Sequence, residues 1–193
     1  MKSHLLPIFL FFLSSSLLAQ TGDISLVAQA NFGYTFVDIS KAVDVPEYNS
    51  GTDSGLEDWD NFNFNGFAQI LFNTSKTFSW GIEAGMYRIY RWLGKEHPIG
   101  LSPRWNGGAV WTFHAGPVLR WVLSKSFYFY TGADLHLFID ESSLTAGIKG
   151  AIGYEISLSK SVTMPIEFRT DVIFGNATPI AIGGGIGFKF DLK

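Results

Sequence analysis

The feature that most limits the fold of this chain is the alternation of apolar and polar residues between Val162 and Phe174. Apolar side chains recur at almost every second position from Val162, whereas Glu167, Arg169 and Asp171 occupy the opposite phase. A repeat of two residues is the period of an extended strand whose two faces meet different environments. The sequence therefore predicts a strand with one uncharged apolar face and one charged face.

The same alternation recurs in seven further segments, separated by two kinds of connection. Three connections are short and polar, at residues 73–77, 124–126 and 159–161, and the connections between them vary in length. Short turns at one end and variable loops at the other are typical of an up-and-down transmembrane β-barrel. We predict an all-β, eight-stranded antiparallel barrel with strands at residues 26–37, 62–73, 78–92, 109–123, 127–139, 144–158, 162–174 and 180–192.

The residues on the two faces indicate which face lines the interior. Ten glycines lie on the polar face, and small residues suit an eight-stranded barrel, whose interior is just wide enough for side chains. Aromatic residues cluster at both ends of the apolar face, as membrane interfaces favour. We therefore expect the apolar face to meet lipid, with its one charge, Arg88, above the hydrocarbon. In the alternative, a soluble lipocalin-like barrel, the apolar face would be hidden inside.

The N-terminal residues have the layout of a secretory signal peptide. Lys2 precedes the apolar run Leu5–Leu13, and three serines, two leucines and Ala19 follow. The run is too short for a membrane anchor, which needs about 20 residues as a helix. We predict a signal peptide at residues 1–19 and one barrel domain at residues 20–193.

Composition excludes two classes of site and argues against one class of partner. The absence of cysteine excludes disulfides and thiolate metal sites. A net charge of −3 without a basic patch argues against nucleic acid as a partner.

This pattern resembles the small eight-stranded outer-membrane β-barrels, the OmpX-like and OmpA-membrane-domain-like group, over essentially the whole chain after residue 19. The segment Ile186–Phe190 resembles the C-terminal signal that the outer-membrane barrel assembly machinery reads, although three residues follow the final Phe here. The resemblance implies a location in the cell outer membrane, with outer-membrane lipid and the assembly machinery as partners.

Charged residues on the polar face nearly balance, which predicts ion pairs inside the barrel, because unpaired charges in a narrow interior are costly. Centring the turn at residues 159–161 on Lys160 places Lys149 opposite Asp171. A bulge or weak pairing is expected at Pro165, which has no N–H to donate. The predicted interior polar residues are Glu83, His114, Arg120, Asp134, His136, Lys149, Glu155, Glu167, Arg169, Asp171 and Lys189.

Two groups of residues could bind a metal ion, catalyse a reaction or contact a partner. Centring the turn at residues 124–126 on Lys125 makes His114 and His136 face each other, with Asp134 on the same face. Such a group could bind zinc or hydrolyse a lipid ester, but two hydrogen-bonded interior histidines are the plainer interpretation. The acidic connection at residues 38–61 could bind calcium, is more simply a solvated loop, and offers a surface to an extracellular partner.

The interior charges likewise have two interpretations: a polar plug that fills the barrel and fixes its register, or an ion path. We favour the plug, and expect a structural or surface-interaction scaffold without catalytic residues, metal or cofactor. The alternative is a narrow porin-like channel or transporter for small or hydrophobic solutes. A lipid-modifying outer-membrane enzyme is the weaker alternative.

Overall fold

The computed structural model describes residues 23–36, 62–92, 108–139, 143–175 and 178–192. These residues form a closed barrel of antiparallel strands in sequence order, in which β1 pairs with both β2 and β8. The eight-stranded all-β architecture is therefore confirmed. No helix within the described ranges is long and apolar enough to cross a membrane. The strands are β1 Ile24–Phe36, β2 Phe62–Asn73, β3 Phe78–Trp92, β4 Gly108–Val122, β5 Phe127–Phe138, β6 Ser143–Ser157, β7 Val162–Ile173 and β8 Ile180–Leu192.

The short turns set the register of the strands that they join. Lys149 on β6 lies opposite Asp171 on β7, and His114 on β4 lies opposite His136 on β5. Both registers agree with the sequence prediction, because a turn centred on one residue fixes which residues face each other. The proposed signal peptide at residues 1–19 and the acidic connection at residues 38–61 lie outside the described part of the chain.

Proline weakens the pairing of β7 where the sequence indicated that it would. Pairing with β8 is interrupted between Thr163 and Ile166, whereas Pro165 still lies opposite Glu155 on β6. The register is the same on both sides of the gap, because Thr163 faces Lys189 and Ile166 faces Ile186. Of the two expected outcomes, weak pairing occurs and a bulge does not.

β3 contains an irregularity that the alternation does not show. Its register against β4 shifts between Arg88 and Tyr90, which leaves Ile89 as an extra, fully buried residue. Arg88 lies beside this bulge, and its guanidinium donates to the main-chain oxygen of Phe62, the first residue of β2. Arg88 is therefore close to the end of the barrel that carries the longer connections, as expected for a charge in phase with the apolar face.

The two faces of the strands differ in chemistry and exposure. Outward apolar residues such as Ile82, Leu135 and Ile152 are 56–64% exposed, whereas inward Glu83 and His114 are fully buried. This is the reverse of a soluble lipocalin-like barrel, which would bury its apolar face. An exposed apolar belt around a polar interior is the surface pattern of a barrel that meets lipid.

Aromatic side chains form two contacting groups at the end of the barrel that carries the short turns. Phe72 stacks on Trp80 with ring centroids 4.7 Å apart. Trp121 lies between Phe78 and Phe129, at centroid distances of 5.4 and 4.6 Å. Amphipathic and aromatic rings are favoured at the membrane interface, so these groups are consistent with the predicted girdle.

The placement of the apolar face can be tested with single arginine substitutions in lipid vesicles. Ile148→Arg, halfway along the outer face of β6, is expected to lower the free energy of unfolding by about 2–4 kcal/mol. Leu158→Arg, just beyond the end of the same strand, is expected to cost about 0–1 kcal/mol because the charge can reach the interface. Equal small costs measured by equilibrium urea unfolding at both positions would contradict a lipid-facing belt.

Glycine permits close approach of side chains in the interior, most clearly at Gly185. A Cβ atom built there would lie 1.4 Å from Asn31 Oδ1, whereas a Cβ at the neighbouring Gly184 meets nothing closer than 3.6 Å. The glycine on the polar face therefore makes room for an interior side chain, as the sequence pattern predicted.

These adjacent glycines form a matched pair for measurement. Gly185→Ala is expected to lower the free energy of unfolding by about 1–3 kcal/mol, because Asn31 must move in a filled interior. Gly184→Ala, on the outer face, serves as the control and is expected to have little effect. Urea unfolding of both variants in vesicles checks the difference, and an equal effect at the two positions would contradict a tightly filled interior.

Candidate functional site

The centre of the barrel holds a group of buried charges that we call the central network: Glu83, Asp134, Lys149, Arg169 and Asp171. Each of these residues is at most 3% exposed. Lys149 Nζ donates to Glu83 Oε1 at 2.8 Å and to Asp134 Oδ1 at 2.5 Å. Arg169 donates to both carboxylate oxygens of Asp171, at 2.7 and 2.8 Å, and to Glu83 Oε1 at 2.9 Å. Every charge in the central network therefore has an opposite charge in contact.

The partners within the central network differ from those that strand register alone suggested. Lys149 lies opposite Asp171 in the ladder, but its ammonium instead contacts Glu83 on β3 and Asp134 on β5. Asp171 is bound by Arg169, two residues earlier on the same face of β7. The ion pairs thus reach across the lumen as well as between neighbouring strands, and they link β3, β5, β6 and β7.

Glu167 adds a further layer beside the central network. Its carboxylate accepts hydrogen bonds from Tyr128 Oη at 3.0 Å, Tyr130 Oη at 3.1 Å and Asn31 Nδ2 at 3.3 Å. Tyr130 Oη also accepts a 2.9 Å hydrogen bond from Arg169 Nη1. Glu167 is therefore joined to the central network through Tyr130, without an ion pair of its own among the described residues.

A second charged group, the turn-end cluster, lies closer to the short turns: Arg120, Glu155, Lys189 and Asp191. Arg120 contacts Glu155 at 2.5 Å, and Lys189 lies 3.5 Å from Glu155 and 3.2 Å from Asp191. The side chains are 5–38% exposed, so this cluster is more open than the central network. Two cations and two carboxylates make the turn-end cluster neutral.

The two histidines face each other as predicted, but they have different partners. Their rings stack at a centroid distance of 5.7 Å. His114 Nε2 is 3.1 Å from Asn65 Oδ1, while His114 Nδ1 lies 3.6 Å from Asp134 Oδ2 and 3.7 Å from Glu83 Oε1. The donor atoms that lie together thus belong to Glu83, His114 and Asp134, and His136 is not among them. The zinc group considered from the sequence contained His136 where the structure has Glu83.

Several uncharged residues complete these layers, although the sequence analysis did not include them among the site residues. Gln69 Nε2, for example, donates to Glu83 Oε2 at 2.7 Å. All of them lie on the polar face in phase with the predicted charges, and this phase is the signal that could have identified them. These additional residues are Asn31, Asn65, Gln69, Tyr128 and Tyr130.

The space left between the two charged groups is small. A cavity of about 10 Å³ is lined by residues that include Gln29, Arg120, Tyr128 and Glu167. A volume of this size holds about one water molecule. Side chains therefore leave this cavity no larger than about one water molecule.

A substitution at Arg169 can measure how much the central network contributes to the free energy of unfolding. Arg169→Met keeps much of the side-chain volume but leaves buried Glu83 with Lys149 alone and takes from buried Asp171 the cation that it contacts. We expect it to lower the free energy of unfolding by about 3–5 kcal/mol. Lys125→Met removes an exposed cation in a short turn and, as the control, should change stability by no more than about 0.5 kcal/mol. Similar losses in the two variants, measured by urea unfolding, would contradict the assigned ion pairs.

No protein-family model and no curated protein sequence matches this chain. Among solved structures, neisserial surface protein A (NspA) is similar with a TM-score of 0.56 at 12% sequence identity, covering 89% of this chain and 99% of that one. Two others have TM-scores below 0.5: OprG, an outer membrane protein of Pseudomonas aeruginosa (0.44, 12% identity, 89% and 96% covered), and Ail, the attachment invasion locus protein of Yersinia pestis (0.42, 9% identity, 89% and 99% covered).

The fold comparison rests on the first of these structures, which extends over nearly the whole of both chains. It agrees with the closed ladder of eight antiparallel strands. The chain therefore has the fold of the small eight-stranded outer-membrane β-barrels.

Proposed function

We propose that this chain is exported to the cell outer membrane and acts there as a closed scaffold, which presents its loops or strengthens the membrane. The central network is the observation that carries the proposal, because its side chains meet across the lumen. Lys149 from β6 and Arg169 from β7 both contact Glu83 of β3. An ion on its way through the barrel would have to separate these groups.

The cost of such a separation supports a closed interior. Breaking a buried ion pair costs about 3–5 kcal/mol when a charge is left without its partner. A conformation that lies this far above the closed one is populated to less than about 1%. The alternative from the sequence is a narrow channel or transporter, which would require the central network to rearrange. No contact among the described residues favours such a rearrangement.

The lipid-modifying enzyme is supported even less. His114 is 0% exposed, and its polar neighbours are Asn65, Glu83 and Asp134. An ester-hydrolysing site needs a nucleophile within hydrogen-bond reach of its base and a path for the substrate. The hydrogen-bond and charge contacts of His114 in the described part of the chain include no hydroxyl group, and its burial leaves it without an opening to lipid.

The proposed scaffold has a defined orientation in the membrane. The short turns would face the periplasm and the longer connections the exterior, as in barrels of this kind. The acidic connection at residues 38–61 is then the surface for an extracellular partner. β8, which contains Ile186–Phe190 and closes the barrel against β1, is the segment that the assembly machinery would recognise.

Single-channel recording in planar bilayers tests the closed scaffold. We expect the folded wild-type protein to show no steady, ion-selective openings. A porin with 16 or more strands, reconstituted in the same way, serves as the positive control because its aqueous lumen must conduct. Reproducible ion-selective openings in the wild type would contradict the closed scaffold and favour the channel.

A double variant tests whether the cations of the central network keep the lumen closed. The double substitution Lys149→Ala, Arg169→Ala removes the two cationic groups that bridge the lumen. We expect openings to appear in the fraction of this variant that folds. If the variant folds and remains closed, the central network is not what seals the barrel.

A further inference from the structure

We propose that Glu83, His114 and Asp134, hereafter the donor group, bind one divalent cation of the zinc class inside the barrel. One imidazole nitrogen and two carboxylate oxygens of these residues lie within 4.8 Å of one another, and all three side chains are buried. The site was not expected from the sequence, which placed His136 with His114 and predicted no metal.

The hydrogen bond to Asn65 decides what His114 offers to its neighbours. In the orientation that the Asn65 amide has here, Oδ1 faces His114 Nε2 at 3.1 Å, and this arrangement places the imidazole proton on Nε2. In a neutral imidazole the other nitrogen, Nδ1, then has a lone pair. That lone pair faces two carboxylate oxygens, Glu83 Oε1 and Asp134 Oδ2. A cation between these three electron-rich atoms would be favourable, and it would share Glu83 Oε1 with Lys149 and Arg169.

The distances within the donor group suit a metal ion better than a direct hydrogen bond. His114 Nδ1 is 3.6 Å from Asp134 Oδ2 and 3.7 Å from Glu83 Oε1, whereas N–H···O hydrogen bonds span about 2.7–3.2 Å. Two ligands at about 2.1 Å from a tetrahedral zinc ion are about 3.4 Å apart. The two separations from His114 Nδ1 are within a few tenths of an ångström of that value, and the two carboxylate oxygens lie within 4.8 Å of each other.

Two atoms of the donor group also lack any other partner in the described structure. His114 Nδ1 and Asp134 Oδ2 are buried without a hydrogen bond, although nearly all buried polar atoms are satisfied in native proteins. The other oxygen of Asp134 is bound by Lys149, and Glu83 Oε2 is bound by Gln69. These contacts hold the carboxylates in place and leave Asp134 Oδ2 for a ligand.

The charges of the interior give an independent argument. The central network contains three carboxylates, but only two cations, Lys149 and Arg169, oppose them. With neutral histidines, the central network has one negative charge in excess, whereas the turn-end cluster is balanced. A bound cation offsets this excess in a site where uncompensated charge is costly.

The ligand atoms indicate the class of metal. An imidazole nitrogen with carboxylate oxygens suits zinc and its first-row neighbours, whereas calcium and magnesium prefer all-oxygen sites. The donor group joins β3, β4 and β5, so a bound ion would cross-link three neighbouring strands. Since binding to the folded state alone stabilises that state, zinc should raise resistance to unfolding.

Metal analysis of the folded barrel in detergent tests the proposal. After incubation with zinc and removal of excess ion, inductively coupled plasma mass spectrometry should find one zinc per chain. His114→Asn and Asp134→Asn should each bind zinc at least about tenfold more weakly and retain less than one zinc per chain, because losing even an outer partner of a ligand costs about 10–100-fold in metal affinity. His136→Asn is the matched control, since this residue stacks on His114 outside the donor group, and it should keep one zinc. Circular dichroism confirms that each variant analysed is folded.

Two further readouts keep the test independent of any one variant. In the wild type, zinc should raise the midpoint of urea unfolding and magnesium should not, and ¹⁵N NMR should find His114 Nδ1 without a proton. A folded wild type that binds no stoichiometric zinc would overturn the proposal, as would a protonated Nδ1 after zinc treatment, which would assign the positive charge to an imidazolium. Equal loss of zinc in His136→Asn would also overturn the assigned donor group. None of these outcomes depends on whether the barrel conducts ions.

Discussion

Backbone hydrogen bonding is the constraint on which the rest of this structure depends. A strand in hydrocarbon has no water to satisfy its N–H and C=O groups, so a sheet is stable there only when its two edges pair with each other. β1 and β8 provide that closure along their whole length, from Ile24 opposite Leu192 to Phe36 opposite Ile180. Closing the ladder with eight strands then fixes the width of the interior, which side chains must fill.

This narrow interior explains both the glycines and the ion pairs. Gly185 lies where a Cβ would collide with Asn31, and Asn31 in turn holds Glu167. Because water is largely excluded, each interior charge must find a partner among the other side chains. The lumen is small enough for Lys149 and Arg169 to reach Glu83 on a distant strand. Shape and charge in the interior are therefore consequences of the same closed ladder.

The period-two pattern carries most of the information about the fold. It predicted all eight strands, three of them with the observed bounds, because residue phase decides which side chains meet lipid. Turn centres were also sufficient to predict that Lys149 lies opposite Asp171. The ion pairs themselves were not predictable in this way, since contacts across the lumen depend on the stagger of the strands and on side-chain conformation. Ile89 was missed for a different reason: its bulge lies near the end of β3, so too few residues follow it for the change of phase to show in the alternation.

An apolar interior would also fill the barrel and would avoid the desolvation of buried charges. The need to fill the barrel therefore does not explain why its interior is charged. A slip of one residue in a strand exchanges its two faces, so a slip of β3 or β7 would place Glu83 or Arg169 in lipid. A cation near the midplane of the bilayer destabilises a barrel by about 2–4 kcal/mol. A slip of two residues between β6 and β7 preserves the faces but brings Lys149 opposite Arg169, where the two charges repel. An apolar interior would penalise neither slip in this way. We infer that the charges contribute more to specifying the register than to the net free energy of folding, and that the network's position at mid-barrel makes every strand that contributes to it register-sensitive.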